Sequence, residues 1–140
     1  KRQVKVSLVP YIPPLINISI VPSEILQNQS LRIFANVTDR SGSGIAWVKI
    51  NVTRPSSGNI DSANMIFINS SGNLTRWYID YPNKTGNQTW GETLERGVYN
   101  ITVYASDNIG NEESKNDSFI VKIKLVVLAS TLSDNSRLNK

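Results

Sequence analysis

The chain has 140 residues, no cysteine, no histidine and a net charge of +4, with a pI near 9.5. This length suits one domain with a hydrophobic core, and the missing cysteines exclude disulfides and thiolate metal sites. Because histidine is the side chain most often used as general base and metal ligand, its absence points away from an enzyme.

The charged and apolar residues show no pattern for a nucleic-acid or membrane partner. The 15 lysines and arginines are scattered apart from small groups near the two ends, so no basic stripe for nucleic acid is formed. The longest apolar run near the C-terminus, residues 125–129, is too short to span a bilayer, and the N-terminus does not resemble a signal peptide. We expect neither nucleic-acid binding nor direct membrane insertion, and we interpret the chain as a mature or excised segment.

Five segments alternate apolar and polar side chains with the two-residue period of half-buried strands. In chain order they are "LINISIV", "SLRIFANVTD", "IAWVKINVT", "VYNITVYAS" and "SFIVKIKLVV". Two more strands, "NMIFIN" and "LTRWYIDY", are predicted on either side of the turn "SSGN". The side chains predicted to face the core are Ile16, Ile18, Ile20, Leu31, Ile33, Ala35, Val37, Ala46, Val48, Ile50, Val52, Tyr99, Ile101, Val103, Ala105, Phe119, Val121, Ile123 and Leu125.

Seven short strands separated by turns such as "DRSGSG" and "DNIGN" predict an all-β fold, an antiparallel two-sheet sandwich. We place the sandwich in residues 15–124. Residues 1–14 are predicted to form a tail strand with a proline-rich connector, and residues 125–140 a strand extension with a polar tail. An odd number of strands puts the two ends of the sandwich at opposite poles, which suits a head-to-tail string.

Acceptor motifs for N-linked glycosylation, N-x-[ST], are unusually frequent. Chance placement of 16 asparagines and 25 serines or threonines among 140 residues predicts about three. The chain has ten, which indicates a secreted glycoprotein; an Asn/Ser/Thr-rich composition is the plainer alternative. The acceptors are Asn17, Asn28, Asn36, Asn51, Asn69, Asn73, Asn83, Asn87, Asn100 and Asn116.

The strand periodicity predicts where the acceptors point. Asn17 and Asn36 fall on the outward side of one predicted sheet, and Asn51 and Asn100 on the outward side of the other. The remaining six are predicted in turns or at strand ends. Both broad faces are therefore expected to carry sugars, which leaves the poles and the strand edges free for contact.

Two segments resemble a known family. "GVYNITVYASDNIGN", residues 97–111, resembles the F strand and F–G turn of immunoglobulin-like modules of prokaryotic, especially archaeal, cell-surface glycoproteins, such as surface-layer or thread- and pilus-like filament subunits. "VTDRSGSGIAWVKINV", residues 37–52, resembles their B–C region. The resemblance implies an immunoglobulin-like sandwich at the cell surface, with Tyr99 in the tyrosine-corner position. The cysteine pair of antibody domains is missing, and Trp47 falls in the outward phase.

Oxygen-rich turns suggest a weaker hypothesis of cation binding. Asp39 in the B–C turn and Asp107, Asn108 and Asn111 in the F–G turn are predicted at the same pole, and such ligands suit calcium. Side chains of this kind more often bond their own backbone, so turn formation is the favoured explanation. No other cofactor is expected.

Two further motifs have plainer explanations than the chemistry that they resemble. The glycines at 42 and 44 lead into a strand rather than a helix, which indicates a turn and not a phosphate-binding loop. Glu92 and Glu95 have the appearance of an acid/base pair, yet they lack partner chemistry nearby, so we interpret them as part of a solvated loop.

Two aromatic side chains are predicted to face outward on neighbouring strands. Trp47 and Tyr104 each lie three residues from a loop at the same pole. They form a possible surface patch for a glycan ligand or another chain. The favoured alternative is that they lean on each other or on the first sugars of a nearby glycan.

Both ends of the chain carry apolar side chains with no evident place in the sandwich. The first strand is separated by the stiff "PYIPP" connector, and the last strand is predicted to run through residues 118–128, about 36 Å. Because an unpaired strand seeks a sheet edge, we expect strand donation to a neighbour. The expected tail contacts are Val4, Val6, Leu8, Leu125 and Val127.

These observations predict a non-catalytic, heavily N-glycosylated structural subunit of an extracellular assembly at the cell surface. The subunit would bind copies of itself head-to-tail, in a filament joined by tail-strand addition or in a surface-layer array, or bind adjacent modules of the same chain. A carbohydrate-binding or adhesion module of a larger secreted protein is the alternative, and an accessory domain of a secreted hydrolase is a third.

Overall fold

The computed structural model describes residues 11–83 and 90–125. Within these residues the chain forms nine β-strands, with two more than predicted. The strands are β1 (Leu15–Val21), β2 (Glu24–Leu26), β3 (Leu31–Thr38), β4 (Ile45–Thr53), β5 (Ile60–Asn64), β6 (Ile66–Ser71), β7 (Leu74–Tyr81), β8 (Gly97–Asp107) and β9 (Glu112–Lys122).

The strands form two sheets. One has four strands in the order β1-β3-β7-β6, and the other has five in the order β2-β9-β8-β4-β5. Neighbouring strands are antiparallel except β2, which runs parallel to the end of β9. This strand order is that of an immunoglobulin-like sandwich whose first strand is divided, with β1 in one sheet and β2 in the other. The predicted fold class is therefore confirmed.

The core lies between the inward side chains of both sheets. β3 and β8 show the alternation most clearly, because every second side chain is buried along most of their lengths. Three aromatic rings fill the core near one end of the sandwich: Tyr99 stacks on Phe119 at 4.9 Å, and Tyr81 meets Phe119 at 5.7 Å. The Tyr99 hydroxyl donates to the Glu95 carbonyl at 2.8 Å, which is the tyrosine corner that the sequence suggested.

The two strands missed by periodicity are short or polar. β2 has three residues, and β5, "IDSAN", has no apolar alternation. The prediction that Ala46 faces inward is wrong, because a β-bulge between Ile45 and Trp47 leaves Ala46 exposed. A bulge inserts an extra residue and so shifts the phase of the strand before it.

The last strand differs most from its prediction. β9 begins at Glu112 and ends at Lys122, whereas the prediction placed it in residues 118–128. Ile123 and Leu125, predicted to face the core, are 45% and 78% exposed. Leu125 thus has no place in β9, while Val127, Val4, Val6 and Leu8 lie outside the described residues.

The sandwich has two ends, which we call the upper and lower poles. At the upper pole β1 begins, since Leu15 lies opposite Thr38, and the β3–β4 and β8–β9 loops meet. At the lower pole β9 ends, and the β4–β5 and β7–β8 connections meet. The prediction that the sandwich begins and ends at opposite poles is confirmed.

Candidate glycosylation sites and contact surfaces

Nine of the ten acceptor asparagines lie within the described residues, and Asn87 lies outside them. None of these nine is buried. Asn51 and Asn83 are partly exposed, and the other seven are exposed. Asn116, predicted in a turn or at a strand end, lies inside β9 because that strand begins six residues earlier than predicted.

Three acceptors lie in one row across the outer face of the four-stranded sheet. Asn17 of β1 is directly opposite Asn36 of β3, and Asn36 is opposite Arg76 of β7. Arg76 in turn is opposite Asn69 of β6 and donates to its Oδ1 at 2.9 Å. The row crosses all four strands, and side chains opposite each other in a sheet are close neighbours.

Three more acceptor motifs interleave on the outer face of the five-stranded sheet. They lie on the adjacent strands β4, β8 and β9, and the motif of the central strand runs antiparallel to the other two. Each asparagine therefore faces a serine or threonine of a neighbouring motif. The opposed pairs are Asn51 with Thr102, Thr102 with Asn116, Thr53 with Asn100, and Asn100 with Ser118.

The hydrogen bonds of these asparagines are compatible with modification. Thr102 Oγ1 donates to Asn116 Oδ1 at 2.9 Å, and Ser62 Oγ donates to Asn51 Oδ1 at 2.6 Å. These bonds, like that of Asn69, use Oδ1 and not Nδ2, the nitrogen to which an N-linked sugar is attached. The amide can thus keep its bond to the sheet while carrying a glycan.

The acceptors in loops have local structural roles as well. Asn28 has φ 69°, a left-handed conformation that asparagine tolerates better than most residues. The carbonyl of Asn73, in the β6–β7 turn, accepts from the Asp39 amide at 2.8 Å. Asn83 exchanges two backbone hydrogen bonds with Trp90. The backbone roles of Asn28 and Asn73 are compatible with the use of their side chains as glycan acceptors.

The oxygen-rich turns meet at the upper pole, as predicted. The carboxylate of Asp39 accepts from the amides of Ser41 and Gly44, and that of Asp107 accepts from the amides of Ile109 and Asn111. Burial raises the pKa of Asp107, but its hydrogen bonds from Asn111, Ser41 and Ile109 outweigh this and hold the pKa below its usual value.

The amide side chains of the same turns are hydrogen-bonded within the protein as well. Asn108 donates from Nδ2 to the Ser43 carbonyl at 2.7 Å, and Asn111 donates from Nδ2 to Asp107 at 2.8 Å. In the described residues no three side chains of His, Cys, Asp or Glu are grouped as metal ligands. Backbone hydrogen bonding explains the positions of these side chains, as the turn interpretation expected.

The glycines of the "GSG" motif occupy a turn that leads into β4. Gly42 and Gly44 have φ of 83° and 89°, values that glycine adopts most readily. The structure therefore agrees with the interpretation of this motif as a turn.

The lower pole contains an ionic cluster that the sequence analysis missed. Arg54 makes a bidentate pair with Asp61 at 2.9 Å and donates to Glu92 at 3.0 Å, and Tyr81 donates to Asp61 at 2.7 Å. The charged side chains are only 15–19% exposed. The cluster joins β4, β5 and the β7–β8 connection, and its members lie too far apart in sequence for a motif to reveal it.

Glu92 and Glu95 are anchors of this pole rather than parts of a solvated loop. Glu92 is held by Arg54, and Glu95 accepts from the amides of Ser56 and Ser57 at 2.8 and 2.9 Å. Hydrogen bonds from Ser57 and then from Ser56 lower the pKa of Glu95. Both carboxylates therefore accept hydrogen bonds from other segments of the protein.

The predicted aromatic patch is only partly formed. Trp47 is half-buried and Lys49 Nζ lies 4.6 Å from its ring centroid, a cation–π contact. Tyr104, 38% exposed, lies opposite Lys49 in the register. Among the ring contacts between described residues, none joins Trp47 to Tyr104, so they do not lean on each other, and contact with the first sugars of a nearby glycan stays a prediction.

Exposed apolar side chains are concentrated toward the two poles and along the first half of β6. Tyr11, Ile12, Leu15 and Ile109 lie at the upper pole, and the free edge of β6 exposes Ile66, Phe67 and Ile68. Toward the lower pole the exposed positions are Val21, Leu26, Ile60, Leu94, Val98, Ile120, Ile123 and Leu125, of which Val98 and Ile120 lie opposite each other on the outer face of the five-stranded sheet, as Tyr104 does farther up.

The comparisons with known proteins give limited information. No family model and no curated protein matches the sequence. Among solved structures, CopC from Methylosinus trichosporium OB3b is similar with a TM-score of 0.47 and 11% identity over 82% of this chain and 99% of that one. The CARDB domain of a Pyrococcus furiosus protein, in complex with di-metal ions, has a TM-score of 0.42 and 15% identity over 87% of this chain and 100% of its own.

A cohesin module from a Clostridium perfringens family 33 glycoside hydrolase has a TM-score of 0.38 and 9% identity over 80% of this chain and 97% of that one. Likeness at this level gives no information about function. In the described parts of the chain no helix is long and apolar enough to cross a membrane.

Proposed function

We propose that the chain is a non-catalytic, N-glycosylated structural module of an extracellular assembly at the cell surface. Its partners would be copies of itself, head-to-tail, or adjacent modules of the same chain. The observation that carries this proposal is the division of the surface. Acceptor asparagines form rows across both broad faces, while exposed apolar side chains are concentrated at the two poles, at the ends of those faces next to the poles and along the first half of β6.

This division supports contact at the ends of the sandwich. Glycans are bulky and hydrated, so a face that carries them is a poor place for another protein to pack. Apolar side chains such as Ile109 at the upper pole and Leu94 at the lower pole remain uncovered. Contact between two different surfaces of one subunit is heterologous and builds open chains when the rotation does not close a ring.

The free strand edges support the tail-strand form of the assembly. The edge of β9 through residues 112–118 bears charged and polar side chains and the acceptor Asn116, which discourage strand addition. The first half of the β6 edge bears Ile66, Phe67 and Ile68 instead, and its acceptor Asn69 lies in the second half of the strand. In a filament, we expect the N-terminal tail of one copy, through Val4, Val6 and Leu8, to add to β6 of the next. A surface-layer array would use the same poles without tail donation.

Weighing the intact glycoprotein before and after release of N-linked sugars tests the glycosylation. We expect a mass loss that corresponds to several glycans, with peptide mapping assigning them to the exposed acceptors. Little or no mass loss would refute a glycosylated surface.

Electron microscopy of the native material tests the assembly, with a deletion and a substitution to separate its forms. Deleting residues 1–10 is expected to leave folded monomers or unstable short oligomers, and Ile66→Lys is expected to weaken assembly by charging the acceptor edge. Ser114→Lys on the polar β9 edge is the control and should assemble like the parent. Unimpaired polymers after the deletion would exclude tail donation.

A further inference from the structure

The outer face of the four-stranded sheet has an aromatic row beside its acceptor row. Ser19, Phe34, Tyr78 and Ile66 lie opposite one another across β1, β3, β7 and β6. This row is two residues along β1, β3 and β7 from the row of acceptors, and three along the bulged β6. Phe34 and Tyr78 are only half-buried although they point away from the core. Two aromatic rings on a polar outer face require an explanation.

The two rings differ in what covers them. The Arg32 guanidinium lies 4.5 Å from the Tyr78 ring centroid and is fixed there by two hydrogen bonds to Asp80, at 2.7 and 3.1 Å. Phe34 instead has the short side chain of Ser19 as its other neighbour in the row. None of the ring or cation contacts among the described residues involves Phe34. Phe34 is partly exposed, so part of its ring is accessible to a further partner.

The acceptor Asn36 is placed to supply that partner. The pairing of β3 with both neighbours is regular from Leu31 to Thr38, so Phe34 and Asn36 point to the same side, about 6.6 Å apart along the strand. Asn17 lies directly opposite Asn36, so a second glycan would crowd the cross-strand direction. A sugar on Asn36 that extends along β3 toward the start of the strand would lie above Phe34.

We propose that Phe34 is a pyranose-binding subsite for the protein's own glycan at Asn36. The first sugar ring would lay its C–H face on the electron-rich face of the phenyl ring, shielding both from water. This inference rests on the proposed glycosylation of Asn36. It gives the sugar a role in stabilising the four-stranded sheet, in addition to covering it.

A second Phe-x-Asn motif provides a control within the same sheet. Phe67 and Asn69 have the same spacing, but a bulge between them places Phe67 opposite Trp77 and Asn69 opposite Arg76, which are consecutive residues of β7. Phe67 and Asn69 therefore point to opposite faces. Phe67 meets the Trp77 ring edge-on at 5.3 Å, so a sugar on Asn69 cannot reach it as one on Asn36 reaches Phe34.

The test is a double-mutant cycle on the glycosylated full-length chain. Asn36→Gln is expected to lower the thermal midpoint by roughly 2–4 °C when Phe34 is present and to have no further effect in Phe34→Ala. The matched cycle with Asn69→Gln and Phe67→Ala should show independent effects. Adding Asn17→Gln to the first cycle shows whether the neighbouring glycan contributes, and we expect the coupling to persist.

A spectroscopic measurement distinguishes stacking from a general effect on stability. Ring protons of the Asn36-linked sugar should be shifted upfield in the proton NMR spectrum by the phenyl ring current. Phe34→Leu keeps apolar volume without an aromatic ring, so it should fold even where Phe34→Ala does not, and it should abolish the shift.

The outcomes separate this inference from the proposed function. A glycosylated Asn36 with additive effects and no upfield shift would overturn the subsite while leaving the glycosylated module intact. If mass spectrometry shows Asn36 unmodified but other acceptors occupied, the subsite is again overturned and the proposed function stands. Absence of sugar from every acceptor would refute both.

Discussion

The two poles of the sandwich are built with different chemistry. At the upper pole the carboxylates of Asp39 and Asp107 accept hydrogen bonds from amides within five residues of their own position. At the lower pole Arg54 joins Asp61 to Glu92, a residue 38 positions away along the chain. The buried carboxylates of the upper pole thus bond within their own turns, with Asn108 joining the two loops through the Ser43 carbonyl, whereas the carboxylates of the lower pole bond segments that are distant along the chain.

Substituting one glycine at each pole by alanine should give the largest difference in stability between the poles. Gly91 at the lower pole has φ 79°, and a Cβ there would lie 2.2 Å from the Tyr81 ring. Gly91→Ala is expected to cost about 3 kcal/mol, because a buried ring must move and the backbone conformation is unfavourable for alanine.

Gly44 at the upper pole is the control for that substitution. It has φ 89°, but the Cβ would meet only the amide nitrogen of the Asn108 side chain, at 2.9 Å, which can turn away. Gly44→Ala should therefore cost about 1 kcal/mol. Denaturant unfolding of both variants provides the comparison, and equal losses would show that the clash with Tyr81 is relieved cheaply.

Removing Arg54 from the ionic cluster at the lower pole should cause the next largest loss of stability. Arg54→Ala leaves Asp61 and Glu92 without their cation in a site where the charged groups are 15–19% exposed. We expect a loss of about 2–3 kcal/mol in the free energy of unfolding, below the full cost for deeply buried pairs because some solvent reaches the site.

The matched control is Arg32→Ala on the outer face of the four-stranded sheet. Arg32 makes an equally bidentate pair with Asp80, but the two side chains are 48% and 41% exposed. Exposed pairs contribute little, so this variant should unfold close to the parent. If the two arginine variants unfold alike, burial is not what makes the lower cluster important.

The tyrosine corner should contribute less than the ionic cluster. Tyr99→Phe removes the hydrogen bond from the hydroxyl to the Glu95 carbonyl and keeps the ring in the core. The expected loss is about 1 kcal/mol, the usual value for one intramolecular hydrogen bond. Tyr104→Phe, on the exposed outer face, is the control, and a Tyr99→Phe protein as stable as Tyr104→Phe would contradict the role of the corner.

Raising the pH to moderately alkaline values should have the smallest effect on the free energy of unfolding. The effect should come from Tyr81 and Tyr99 at the lower pole. Burial, with the nearby carboxylates of Glu92 and Glu95, raises the pKa of Tyr99 to about 12 from an ordinary value of 10. Burial, and the hydrogen bond to Asp61, also raise the pKa of Tyr81. A raised pKa in the fold means that the stabilisation is complete below pH 10 and is lost as the pH rises toward 12.

Unfolding midpoints at pH 9 and 10.5 check the direction of this effect. The parent should lose stability over the interval, and Tyr99→Phe should lose less because one of the two tyrosines is gone. A midpoint that rises over this interval would contradict the shifts. In acid the sign is reversed for Asp107, whose lowered pKa means that its contribution is lost as the pH falls below 3.8.

The periodic strands and their outward acceptors were predictable, because alternation along one strand fixes which side chains face the core. Asn17, Asn36, Asn51 and Asn100 are exposed or partly exposed on the predicted faces. The sequence analysis failed where alternation is absent or interrupted. The bulge at Ala46 shifts the phase without a sequence signal, and the polar start of β9 resembles a loop.

The relations between strands were not predictable from the sequence. Register decides that Asn17 lies opposite Asn36, that the motifs of β4, β8 and β9 interleave, and that Phe34 lies beside Tyr78. Register depends on which strands pair and how they are aligned, and no single segment contains that information. A Phe two residues before an acceptor was visible twice, but only the structure separates Phe34 from Phe67.

The direct opposition of Asn17 and Asn36 has a mechanical consequence. Adjacent strands are separated by about 4.8 Å, close to the width of a single sugar ring. If both asparagines carry glycans, the two saccharide chains cannot both lie across the strands, so beyond the first sugar of Asn36 they would rise from the sheet as a short brush. The thickness of that brush would then set how closely a neighbouring protein, protease or membrane can approach this side of the molecule.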